Sequence, residues 1–130
     1  MAKKQTFIPN ITDVKILETV FLLNQDSYFP LNEGVIKILM GMDDKETLEF
    51  KDIITYGAIT SYSAKKISRH IMMLLRYKYL TKKLDINTNE LYLAITTFGV
   101  NFLLEYKKHH HINYSKKEIN IKKTIVKIDN

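Results

Sequence analysis

The hydrophobic pattern of this chain includes one stretch of alternating period between helical ones, and that stretch restricts the folds open to it. Up to Leu80 apolar residues recur at helical spacing, but in "TKKLDINTNELYLAIT" they alternate. Leu84 and Ile86 alternate before Asn87-Thr88-Asn89, and Leu91, Leu93 and Ile95 alternate after it. Side chains one residue apart on a strand point to opposite faces, so alternation about an Asn-rich turn predicts a β-hairpin over 81–95.

Helical spacing dominates on either side. Thr12 is suited to cap a helix over 13–24, with Asp13 at the positive end of its dipole and Val14, Leu17 and Phe21 along one face. Asn32 is suited to cap a second helix carrying Val35, Ile36, Leu39 and Met40, and Gly41 to end it. From Met42 to Ile59 the pattern is mixed and reads as a turn, a short helix or strand, and a turn. Ser63 caps a third helix over 64–80. Thr96 or Thr97 caps a fourth, with Phe98, Phe102, Leu103 and Tyr106 as its larger apolar residues. Three helices, a hairpin and a helix predict an α+β, mainly helical chain of winged helix-turn-helix type. The expected organisation is an N-terminal arm over 1–11, a winged-helix domain over 12–108 and a basic C-terminal tail over 109–130.

At 130 residues the chain has the length of one domain. It has no cysteine, which removes disulfides and thiolate metal sites. No apolar run is long enough to span a bilayer, and "MAKKQTFIPN" lacks the apolar stretch of a signal peptide, so a cytoplasmic location is the default expectation. The net charge of +6 favours anionic partners, nucleic acid first among them.

The charge is organised on the third helix, in "SYSAKKISRHIMMLLRYKYL". At 100° per residue, Ala64, Ile67, Ile71, Leu74 and Leu75 fall in one arc of about 100°. Lys65, Arg69 and Arg76 cluster nearly opposite, flanked by Lys66, His70, Met73 and Tyr77. A solvated helix face ordinarily mixes both signs, whereas residues 64–80 contain no acid. This points to a surface for nucleic-acid phosphates, where lysine and arginine displace condensed counterions. The first amides of the helix, near Ser63 and Ala64, can add one more phosphate contact.

The stretch "EGVIKILMGMDDKETLEFKDIITYGAITSYSAKKISRHIMMLLRYKYL", followed by "LYLAITTFGVNFL", resembles the RQC winged-helix domain of RecQ-type helicases. Ile38-Leu39-Met40-Gly41-Met42 is similar to that domain's "vLrGs" helix end, and Tyr56-Gly57-Ala58-Ile59 to its "yG.G" turn. Ser68 to Leu80 resembles its "iRqLi..G.L" recognition helix, and Ala94-Ile95-Thr96-Thr97-Phe98-Gly99 its "a.LT..G" strand-to-helix junction. The resemblance covers about Val20 to Leu104. It implies a winged helix that binds duplex ends, forks or branched DNA, largely through the backbone. Carried over by position, the implied DNA contacts are Ser63, Lys65, Lys66 and Arg69, with the wing segment Lys82 to Asn89. Together with the basic face this makes the candidate set Ser63, Lys65, Lys66, Arg69, His70, Arg76, Lys82, Lys83, Asn87 and Asn89.

The chain departs from that family pattern in four ways. After Gly41, where many members carry a phosphate-gripping base, it has "MDDKE", with Lys45 alone among acids. Its wing tip, "DINTNE", has no aromatic wedge until Tyr92. It contains no G-x-x-x-x-G-K-[ST] to cradle a triphosphate. It also lacks the four-cysteine zinc module that often precedes the winged helix. The expectation is a stand-alone RQC-like domain that is not an enzyme and needs no cofactor.

Other constellations give no chemistry. His109-His110-His111 diverge by about 100° per residue on a helix and suit its negative end better than a metal. Ser63 and its neighbouring lysines have no oxyanion loop, and the adjacent Asp43 and Asp44 diverge. Met40, Met42, Met72 and Met73 read as core or rim packing. The stretch from Glu105 to Asp129 carries seven lysines against three acids. It can add grip on DNA, or lend "INIKKTIVKI" as a strand to a protein partner. Two rival readings stay open: a dimeric, sequence-specific transcriptional regulator, and a winged helix used as a protein-interaction module.

Overall fold

A computed structural model describes residues 7–45 and 47–109. The tail segment "EINIKKTIVKI", with His110 and His111, lies outside the described residues. The chain is α+β and mainly helical. Its elements run α1 (Ile11–Gln25), α2 (Asn32–Met40), a 3-10 turn (Leu48–Phe50), α3 (Ala64–Arg76), β1 (Leu80–Asp85), β2 (Glu90–Ile95) and α4 (Thr97–His109).

The first helix starts earlier than Thr12 suggests. Asn10 caps it through a capping box: the Asn10 side chain accepts from the Asp13 amide at 3.1 Å, and Asp13 Oδ2 accepts from the Asn10 amide at 2.9 Å. Thr12 is buried inside the first turn, and the N-terminal arm therefore ends by Asn10. Phe7 in that arm stacks on Tyr77 with ring centroids 4.9 Å apart. The cap of α2 is Leu31, whose backbone is extended, and Asn32 is already its first helical residue.

Helices α1, α2 and α3 all stop the same way. A residue in the left-handed conformation follows each: Ser27 (φ 67°), Gly41 (φ 70°) and Lys78 (φ 67°). Beyond each, an amide reaches back to a helix carbonyl: Tyr28 to Leu23 at 2.8 Å, Met42 to Lys37 at 2.9 Å, and Tyr79 to Leu74 at 2.9 Å. This is the Schellman arrangement, which satisfies the orphan carbonyls of a helix end. It shortens α3 from the expected 64–80 to Ala64–Arg76 and frees Leu80 to begin β1. The α4 cap is Thr96, whose Oγ1 accepts from the Gly99 amide at 2.9 Å.

The core lies among α1, α2, α3 and the base of the hairpin. Leu17 and Val20 meet Val35 and Leu39, Ile67, Ile71 and Leu74, then Leu80, Leu93 and Leu103, all buried. Ala64, expected in that arc, is exposed because it stands in the first turn, short of the core. The hairpin is antiparallel and pairs Leu80 with Ile95, Lys82 with Leu93 and Leu84 with Leu91. The outer edge of β2 is held to the last turn of α1 and to the segment after it. The Leu93 amide donates to the Pro30 carbonyl at 2.7 Å, and the Ile95 amide to Asn24 Oδ1 at 2.8 Å. These two bonds fix the angle at which the hairpin leaves the body. No helix among the described residues is long and apolar enough to cross a membrane.

The linker from Gly41 to Ser63 forms turns, with the 3-10 turn as its only helical piece and no strand among the described residues. The two glycines that bracket it meet. A Cβ on Gly41 would stand 3.1 Å from the Gly57 Cα, and Gly57 also has positive φ (72°). The Gly57 amide then donates to the Ile38 carbonyl, and the Ile59 amide to Leu39, both at 2.8 Å. The end of α2 is thereby tied to the turn that leads into α3.

Candidate nucleic-acid interface

Helix α3 packs one face and leaves the other to solvent. Ile67, Ile71 and Leu74 are buried, while Lys65, Lys66, Arg69 and Arg76 are exposed. Among the described residues, Lys65, Arg69 and Arg76 form no ion pair, and α3 holds no acid that could neutralise them. Lys65, Arg69, Met72 and Arg76 follow one another at helical spacing and so form a stripe along the axis. Met72, expected in the core or at its rim, is 61% exposed within that stripe. Met42 is exposed as well, beyond the end of α2.

The start of α3 is capped by Ser63. Ser63 Oγ accepts from the Lys66 amide at 3.1 Å, which caps the helix through the oxygen and does not engage the hydroxyl hydrogen. The amides of Ala64 and Lys65 have no intrahelical partner and carry the positive end of the dipole. Lys66 lies with Nζ 4.2 Å from the centroid of the Tyr62 ring.

His70 is held differently from its lysine and arginine neighbours. Its Nδ1 lies 2.7 Å from Asp13 Oδ1, joining α3 to the first turn of α1. The Asp13 side chain is only 3% exposed, against 21% for His70. The ring stacks on Tyr62 at 6.0 Å between centroids. Nothing in the spacing of the sequence joins residues 13 and 70. The capping box at Asn10, an Asn followed three residues later by an Asp, is the one local signal that Asp13 has a structural task.

The hairpin residues divide between two faces. Lys82 shares the face of Leu80 and Leu84, whereas Lys83 points the other way, its Nζ 5.1 Å from the Phe29 centroid. Asn87 and Asn89 are exposed in the turn, and Asn89 takes positive φ (61°). The Asn87 amide donates to Asp85 Oδ1 and the Asn89 amide to the Asp85 carbonyl, so the turn is internally braced. Three large apolar residues stand exposed at and beside the polar wing tip, Leu84 57%, Ile86 87% and Leu91 49%. Ile86 is the most exposed large apolar residue there, although the alternation through Leu84 and Ile86 had marked it only as a strand position.

Asp43, Asp44 and His109, set aside as sources of chemistry, stand in ion-pair contacts. Lys37 pairs with Asp44 at 3.1 Å and Lys51 with Asp43 at 3.0 Å, so the acidic stretch after Gly41 is partly neutralised. The hydrogen bond that Lys51 donates to Asp43, and after it the Asp43 charge, push the Lys51 ammonium up. His109 Nε2 lies 3.0 Å from Glu105. Among the described residues no group of three His, Asp or Glu side chains is arranged to hold a metal ion.

A family model described as the RQC domain matches residues 13–120. The chain belongs to the RQC-domain family. The RQC domain is a DNA-binding, non-catalytic domain of RecQ-type helicases. No curated protein matched the chain. The matched span begins inside the first turn of α1 and runs through α4, and so takes in every candidate contact from Ser63 to Asn89.

Proposed function

We propose that this RQC domain is a winged helix that binds duplex, forked or branched DNA through its phosphate backbone and catalyses no reaction. Helix α3 is the recognition helix and the β1–β2 hairpin the wing. The observation that carries this reading is the acid-free face of α3, with Lys65, Arg69 and Arg76 exposed and without ion pairs among the described residues. Lysine and arginine in this setting give affinity that falls steeply with salt and depends little on sequence. Lys82 and the braced turn at Asn87 and Asn89 supply the wing contacts.

The test is a binding comparison of single-stranded, blunt, forked and four-way-junction DNA at two salt concentrations. The reading expects duplex-containing forms to bind more tightly than single strands, with strong loss at the higher salt. Equal and weak binding to all forms at low salt contradicts it.

A second reading, a protein-interaction module, is favoured by the exposed Leu84, Ile86 and Leu91 on one part of the wing. It expects no DNA binding at low salt.

A further inference from the structure

The Asp13–His70 pair assigns His70 a role that differs in kind from that of the neighbouring lysines. Asp13 Oδ2 accepts from the Asn10 amide and Oδ1 faces His70 Nδ1. An ionised carboxylate can only accept, so Nδ1 carries the hydrogen. In the neutral ring Nε2 is then the unprotonated nitrogen, a hydrogen-bond acceptor that repels a phosphate oxygen. Among the described residues Nε2 has no hydrogen-bond partner, and the side chain is partly exposed beside Lys66, one helical turn back. Protonation converts Nε2 to a charged donor and changes the Asp13–His70 pair from one net negative charge to none.

We propose that His70 is a proton-linked phosphate contact, oriented by Asp13, so that binding DNA takes up a proton at His70 Nε2. This rests on the DNA-binding reading above and adds regulation to the same face. Histidine is the side chain whose unperturbed charge change lies between about pH 5 and pH 8. The groups packed around the ring are few. Asp13 comes from α1, Tyr62 from the loop before α3, and Lys66 has its Nζ 4.2 Å from the centroid of that Tyr62 ring. Tyr79 feels the Asp13 charge but stays neutral throughout this window. Asp13 is thus a positioning residue, and His70 is the group that would touch the ligand.

The experiment uses the full chain and a labelled blunt duplex and fork. Affinity is measured at about pH 6 and about pH 8, together with proton uptake by calorimetry in two buffers of different ionisation enthalpy. The wild type should bind about three- to tenfold more tightly at the lower pH, as expected for one exposed charge-assisted contact. Its salt slope should steepen by about 0.9 there. His70→Asn keeps an amide where Nδ1 stood and so can keep the bond to Asp13; it should lose the pH response and the proton uptake. Asp13→Asn, which can still accept from the Asn10 amide, should reduce the uptake. Parallel pH profiles for wild type and His70→Asn overturn the proposal while leaving DNA binding intact. Absence of DNA binding at either pH overturns both. Should His70→Asn not fold, the imidazole 15N shifts of the wild type decide: Nε2 must gain a proton when DNA is added, and an unchanged Nε2 contradicts the role.

Discussion

The α-carbon of Gly99 rests against the carbonyl of Tyr79. A Cβ at this position would overlap that oxygen and stand 2.8 Å from Ile95 Cγ1. The same carbonyl accepts from the Thr96 amide at 3.1 Å, and Thr96 caps α4, so the junction from β2 to α4 is locked onto the start of β1. Gly99→Ala must push backbone apart. It is expected to destabilise the chain by about 3 kcal/mol or more. Gly34 inside α2 offers the contrast, since a Cβ there meets only Pro30 at an ordinary 3.6 Å. Gly34→Ala should therefore stabilise by about 0.5–1 kcal/mol. Urea unfolding of both variants checks the pair.

Lys78 holds the left-handed position at the end of α3 without being glycine. Its conformation costs roughly 1 kcal/mol relative to glycine. Lys78→Gly should keep the bonds from residue 78 to Leu75 and from Tyr79 to Leu74, and raise stability by about 0.5–1 kcal/mol. A fall in the unfolding midpoint would show that the Lys78 side chain contributes more than the helix end does.

Tyr79 links stability to alkaline pH. Burial beside Phe7, Phe98 and Phe102 pushes its phenol up, and the Asp13 charge adds to the shift. The folded state thus keeps a proton that the unfolded chain releases above about pH 10. The stability contributed is full below that pH and is lost as pH rises through the folded value. Urea midpoints measured from about pH 9 to about pH 11 should fall for the wild type and fall less for Tyr79→Phe.

These particulars also show what the sequence makes legible. The hairpin could be read because alternation about Asn87-Thr88-Asn89 leaves little choice, and the α3 cap because Ser63 directly precedes an amphipathic run. The end of α2 was visible because its left-handed residue is Gly41. The ends of α1 and α3 use the same geometry with Ser27 and Lys78, where tertiary contacts override local preference, so α3 reads four residues too long. Of the candidate contacts, the exposed basic stripe follows from helical period alone. The Asp13–His70 bond does not, since it joins residues 57 apart in the chain through the packing of α1 on α3. The split of Lys82 and Lys83 between two faces was implicit in the strand period but needed the register to say which lysine takes which face.

The basic face of α3 carries the central claim, and one measurement bears on it most directly. Binding of a fork to wild type and to the Lys65→Ala, Lys66→Ala, Arg69→Ala triple variant is followed across a salt series. Because all three side chains are exposed, the variant should keep its fold, which its circular dichroism can verify. Loss of three phosphate contacts should flatten the slope of log affinity against log salt by about 2.7 and weaken binding at moderate salt. A triple variant that binds the fork as tightly as wild type, with the same salt slope, would contradict the assignment of α3 as the DNA-binding face.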